Sequence, residues 1–300
     1  MIPSMSRRNW IGLSSAALFG CQERKVPAAT APNPAPDSRQ LQAGPFSVTV
    51  PDAWAKTAVI RKVPIHPLYT AEEWKQTKSD KHFLLKPSYY NRPLHWTIRL
   101  PAATPEGIKI DLENADDDPT AAQILIHKSD EWGSILTDGI EGREKSAELL
   151  STFRKEMDGA AAGDGNVDSP AFIDGGLGFT SLKKQLEFDG GHGIRMINQW
   201  LSEHDLMRKG RLHYLFVGMS DDNTCQIIAT FPITLPGLPD DSPDAEHLGR
   251  SVRRWDELSR NFDIYCTEAE AWLTKHPAEI TPNLDTLDEM LKSLVVRRWE

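Results

Sequence analysis

Between Ile194 and Ile233 the chain carries three apolar-rich runs cut by turn residues, and a globular fold must pair them. Ile194 to Leu201 and Leu212 to Met219 have the length and the branched and aromatic content of strands, and Thr224 to Ile233 reads as a third. Ser220-Asp221-Asp222-Asn223 separates the last two runs. Asp and Asn tolerate left-handed φ and bond their own backbone, so Leu212 to Ile233 is expected to be a hairpin. Pro232 and Pro236 end it, because proline has no N–H to give to a ladder.

Upstream, Phe46-Ser47-Val48-Thr49-Val50 alternates with period two and stops at Pro51, the pattern of a half-buried strand. Thr57 to Val63, His95 to Leu100 and Gln123 to His127 read as further strands, and Thr70 to Trp74 as a short capped helix. Gly142 to Met157 is expected to be a helix with Leu149, Leu150 and Phe153 on one side. Ala160 to Gly178, rich in Gly, Ala and Asp, reads as a loop.

After residue 242 the periodicity becomes helical. Ser242 suits an N-cap and Pro243 a first helical position. Leu248, Val252, Trp255, Phe262, Cys266, Ala269 and Leu273 recur at helical spacings up to Pro277, which predicts one helix of about 50 Å. Leu258, Tyr265 and Trp272 widen the apolar stripe beyond a bare heptad seam, so the helix is expected to lie across a sheet, with a coiled-coil partner as the alternative. A last helix is expected from Thr281-Pro282, carrying Leu284, Leu287, Leu291, Leu294 and Val295, with Arg297 and Arg298 at its negative end. The fold class that follows is α+β: an antiparallel sheet with C-terminal helices packed on one face, in a single domain from 46 to 300.

The N-terminus carries an address. Arg7 and Arg8 open a basic region of the twin-arginine export type, and Trp10 to Gly20 is a short, mostly small and apolar run. It falls short of the roughly 20 residues that cross a bilayer. Leu18-Phe19-Gly20-Cys21 reads as a lipoprotein cleavage box, so residues 1–20 are expected to be a removed signal and Cys21 the lipidated residue. Residues 21–45 include Pro27, Pro32, Pro34 and Pro36 with no periodic large apolar residues, which suits an extended tether.

A formal net charge of −9 argues against a nucleic-acid partner, since phosphate contacts need clustered positive charge. Nine tryptophans point to a well-filled core or to aromatic binding patches. With Cys21 assigned to lipid, Cys225 and Cys266 remain; an oxidising compartment would permit them to pair, the alternative being two buried, unpaired thiols.

Motifs that would identify a reaction are missing. There is no Gly-x-Ser-x-Gly, no His-x-x-x-His and no Cys-x-x-Cys, so neither a nucleophilic serine motif nor zinc spacing is present, and no metal or cofactor is expected. His192, His204 and His213 fall near one β region, where local hydrogen bonding is the simpler reading. Asp164-Gly165-Asn166-Val167-Asp168 has the alternating oxygens of half a calcium loop, but Ser169 and Gly175 stand where the turn glycine and closing glutamate belong. Gly175-Gly176-Leu177-Gly178 and Gly190-Gly191-His192-Gly193 lack the phosphate-loop layout and read as turn glycines. Tyr214 and Phe216 share a strand face, which is core if covered and a groove with Trp200 if open.

Gly193-Ile194-Arg195 through Gln199, then Leu212, Tyr214, Phe216, Gly218-Met219-Ser220-Asp221-Asp222-Asn223 and Phe231-Pro232, resemble a group of uncharacterised exported bacterial proteins familiar from cyanobacteria. Those have Leu-Thr where this chain has Met219-Ser220 and a turn glycine where it has Asn223. The resemblance covers residues 190–233 and implies no activity and no functional residues. Phe46 to Trp54 is also similar to the opening of small exported α/β domains of the PsbP and Mog1 type.

The expected function is therefore that of an exported lipoprotein, anchored to a cell-envelope membrane through Cys21 and acting as a non-catalytic binding or interaction module for a protein or envelope component. The alternative is an envelope hydrolase whose site is assembled from dispersed Asp, Glu and His.

Overall fold

The structure, a computed structural model, describes residues 37–65, 92–108, 121–132, 142–162, 167, 176–201 and 203–299. Among the described residues there are eleven strands: β1 (Ser38–Ala43), β2 (Phe46–Pro51), β3 (Val59–Val63), β4 (His95–Arg99), β5 (Gln123–Lys128), β6 (Gly176–Phe188), β7 (Gly191–Leu201), β8 (Leu212–Ser220), β9 (Cys225–Ile233), β10 (Glu246–His247) and β11 (Arg250–Ser251). The helices are α1 (Asp52–Ala55), α2 (Gly142–Ala161), α3 (Trp255–Arg260), α4 (Phe262–Lys275) and α5 (Leu284–Lys292). Seven strands form one antiparallel sheet in the order β3-β4-β5-β9-β8-β7-β6. Two meanders, β3-β4-β5 and β6-β7-β8-β9, meet where β5 pairs with β9.

Alternation along the strands sorts two cores. Ile98, Ile126, Tyr214, Phe216, Ile227 and Phe231 face one side, where Tyr265, Ala269 and Leu273 of α4 and Leu287 and Leu291 of α5 join them. Leu125, Ile194, Leu215, Val217 and Ile228 face the other side, beneath Phe153, Met157 and Ala160 of α2. The protein is thus an α+β fold with its C-terminal helices on one face of the sheet. Because both faces are covered, every residue of β8 and β9 is buried.

The chain's end closes the hairpin of β1 and β2 onto this sheet. Val295 exchanges backbone bonds with Ser47 (2.8 and 3.1 Å), while Val296 N–H donates to Asp189 O (2.9 Å) and Asp189 N–H to Leu294 O (3.1 Å). Gly193 and Gly218 face each other across β7 and β8 because the Phe216 ring lies over both. A Cβ on Gly193 would sit 2.4 Å from Val217 O and 2.5 Å from Phe216 Cζ. Gly193→Ala is expected to cost about 1–3 kcal/mol through this overpacking, read as a lower urea midpoint at unchanged slope.

Four expectations need correction. The single helix from 243 to 277 is broken: Ser242 Oγ caps only a turn (Asp244 N–H, 3.2 Å), β10 and β11 follow, and helix begins at Trp255. Leu248 (φ 49°) and Gly249 (φ 73°) make the tight turn between those strands, and left-handed backbone interrupts a helix whatever the spacing of apolar residues. The domain starts earlier than residue 46, since β1 occupies Ser38–Ala43 inside the stretch read as tether and pairs with β2. The loop reading of 160–178 overlaps the end of α2 and the start of β6. The final helix starts at Leu284 rather than Thr281, capped by Asn283, whose Oδ1 accepts from Asp285 N–H and Thr286 N–H, and it stops at Lys292, so that Leu294 and Val295 lie beyond it and Val295 bridges to Ser47 and Asp189.

Candidate functional site

Three polar centres stand out, and two of them are closed. The first joins α5 to the sheet. Asp288 is 1% exposed; Arg195 Nε and Nη2 donate to its two oxygens at 3.1 and 3.2 Å, Lys184 Nζ at 2.7 Å and Tyr214 Oη at 2.9 Å. Arg195 also donates to the carbonyl of Leu182, which a register irregularity in β6 turns toward it with φ at 51°. Burial alone would raise the Asp288 carboxyl pKa; the bonds from Arg195, Lys184 and Tyr214 outweigh it and leave the pKa lowered. Burial, then the Asp288 charge, pushes the Tyr214 hydroxyl well above its ordinary value. Each Asp288 oxygen accepts two of these bonds, so the buried carboxylate is fully committed within the clamp.

The second centre lies at one end of the α2-side face. His95, His127, Gln226 and Met219 stand opposite one another on β4, β5, β9 and β8. The rings of His95 and His127 are 4.9 Å apart, and His127 is 5.3 Å from Trp132. His95 Nδ1–H donates to Pro93 O at 2.9 Å. Both histidines are buried, and burial followed by the neighbouring His95 and Arg92 charges holds His127 well below its ordinary pKa, hence neutral. The sequence reading missed this pair, although both strands were expected. The signal was available: in His95-Trp96-Thr97-Ile98-Arg99 every second residue is polar, and Gln123 and His127 continue that face on the next strand.

The third centre is open to solvent. Residues 203–211 leave β7 as a loop pinned from beneath: Gln199 Nε2 donates to Leu206 O (3.0 Å), and Met207 N–H donates to Tyr265 Oη (2.6 Å). The same hydroxyl is hydrogen-bonded to His247 Nδ1 at 2.9 Å. On the loop, Arg208 and Arg211 share Asp205 and Asp241: Arg208 donates to both, Arg211 Nη1 reaches Asp205 at 2.9 Å and Arg211 Nη2 reaches Asp241 at 3.1 Å. Two grooves flank this ring and share Arg211, one of about 790 Å³ beside Lys209, Asp240 and Thr281, the other of about 250 Å³ beside Trp200, His204 and Trp255.

The sequence-derived site residues are dispersed. Arg7, Arg8 and Cys21, which carry the expected signal, lie outside the described residues, as do Thr70 to Trp74 and the oxygen-bearing residues Asp164, Asn166 and Asp168 of the half calcium loop. Cys225 and Cys266 are free thiols and do not pair. Cys225 opens β9 beside Ser220, whereas Cys266 donates to Gly178 O (3.5 Å), at the other end of the long β6–β7 pair. Burial pushes each thiol up to about 11, so both stay protonated and poorly nucleophilic at neutral pH.

His192, His204 and His213 are not brought together. His192 sits beside Asp221 (3.7 Å), His213 packs on Trp200, and His204 stacks on Phe262. Tyr214 and Phe216 are wholly buried on the face opposite Trp200, so the three form no shared groove. Of the second glycine cluster only Gly190 occupies the turn (φ 95°); Gly191 and Gly193 belong to β7, and Gly176 and Gly178 to β6.

Among the described residues no three His, Cys, Asp or Glu side chains are placed to hold a metal ion, and no helix is long and apolar enough to cross a membrane. No known protein family, no curated protein and no solved structure matches this chain.

Proposed function

We propose that this protein is an exported lipoprotein, held at a cell-envelope membrane through lipid on Cys21, whose folded domain is a non-catalytic binding module. The observation that carries the binding reading is the state of the charges at the open centre: Asp205, Arg208, Arg211 and Asp241 are taken up by one another, and Lys209 by Asp240 at 2.8 Å. Ionisable groups committed to each other can shape a surface and offer hydrogen bonds. They are poor general acids and bases, which need a proton exchanged near neutral pH. Arg7-Arg8, the short apolar run and Cys21 support the address.

Cys21→Ala should move the protein from the membrane fraction to the soluble fraction of the envelope, because several acyl chains at about 0.8 kcal/mol per buried methylene provide the attachment. Undiminished membrane retention of that variant overturns the anchor. The intact lipidated protein should also co-purify with an envelope component from native membranes, and turnover of envelope material by the purified protein would overturn the non-catalytic reading.

A further inference from the structure

We infer that the smaller groove binds one uncharged sugar ring, such as a unit of an envelope glycan. This rests on the reading of the domain as a binding module and specifies what it binds. Its volume, about 250 Å³, lies just below the 300–1,000 Å³ of sites for drug-sized ligands, which suits a single ring rather than a peptide or nucleotide.

Its walls are of two kinds. Trp200 and Trp255 supply flat apolar surface, and Trp255 stays 47% exposed, among the few large apolar side chains left at the described surface. A sugar ring offers apolar C–H faces to an indole and hydroxyls around its edge. Glu203, His204, Asp205, Arg208 and Arg211 supply donors and acceptors at that edge.

The charge balance selects against ions. The two arginines are matched by Asp205 and Asp241, so an incoming phosphate or carboxylate would have to displace a carboxylate already bound, and it would face Glu203. A cation would meet Arg211. A neutral polyol, which both donates and accepts, disturbs neither pair.

The site is also held still. The His204 ring stacks on Phe262 (centroids 4.3 Å apart, planes 21°) and bonds Ser259 Oγ at 2.8 Å, while Asp205 accepts from Leu206 N–H at 2.7 Å. Arg208, with a side chain 7% exposed, keeps its Nε–H buried and without a hydrogen-bond partner. Rigid polar groups beside the exposed Trp255 indole lower the ordering cost of binding.

The test uses the full-length lipidated protein in a sugar-free polyoxyethylene detergent, titrated with chitotriose, maltotriose, cellotriose, glucose 6-phosphate and choline. Tryptophan fluorescence and calorimetry are read in parallel. At least one neutral trisaccharide is expected to saturate, with affinity weakened about tenfold by Trp255→Ala, partly restored by Trp255→Phe, and an unchanged melting temperature in both variants. Saturation by none of the three, saturation by glucose 6-phosphate or choline in their place, or affinity indifferent to Trp255→Ala overturns the sugar site. Cleavage of a bound trisaccharide would instead keep the sugar site and overturn the non-catalytic reading, so the two fail separately.

Discussion

Asp288→Ala is expected to lower the unfolding free energy by about 3–5 kcal/mol, a large share of the total stability of a single domain. The substitution removes the acceptor for Tyr214 and the counter-charge for Arg195, whose side chain is 8% exposed, leaving a buried guanidinium with the Leu182 carbonyl as its remaining bond in the clamp. Lys184, 44% exposed, can turn to water and contributes little to the loss. The cost is that of an orphaned charge rather than the worth of the pair. Replacing both partners, as Asp288→Leu with Arg195→Met, should therefore recover much of it. Urea unfolding of the single and double variants checks this, and a loss below about 1 kcal/mol for Asp288→Ala would show that water reaches the clamp.

Acid should weaken the fold in two windows. His127 and His247 have folded-state pKa values below the ordinary 6.5, His127 well below it and His247 at about 4, in each case chiefly because burial penalises the charged ring. The unfolded chain takes up protons near pH 6.5 that the folded chain refuses, so stability falls from there downward. For His247 the loss continues to about pH 4 and amounts to on the order of 3 kcal/mol. Asp288, with its pKa lowered, contributes stability above the unfolded-state carboxyl value near 4, and this is lost only as pH drops through its folded value. His247→Phe should flatten the slope between pH 6.5 and 4 by up to about 1.4 kcal/mol per pH unit while leaving the carboxylate window in place. An unaltered slope would mean that His247 is protonated in the native state.

How much of this could be read from the residues alone differs from element to element. β2, β4, β5, β7, β8 and β9 all come from runs whose period or apolar content is locally unambiguous. β6 escaped because register shifts between Leu177 and Phe179 and between Ser181 and Lys184 erase its alternation. The long helix failed for a related reason: Leu248-Gly249 turns back through left-handed backbone, and spacing arguments count apolar residues without seeing that break.

The open centre was invisible for a different cause. Asp205, Arg208, Arg211 and Asp241 are ordinary loop charges in the sequence, and only the return of the chain after β9 sets residue 241 against residue 208. Asp288 likewise reads as one more acidic residue of an amphipathic helix until α5 packs against β6, β7 and β8.

By itself the sequence determined the strands with intact period, the central hairpin and the α+β class, because these follow from local alternation and from the need to cover apolar faces. Tertiary structure alone decided which polar residues meet, which charges are cancelled and which indole stays in water. Those outcomes depend on contacts between residues dozens of positions apart, and short-range spacing carries no record of them.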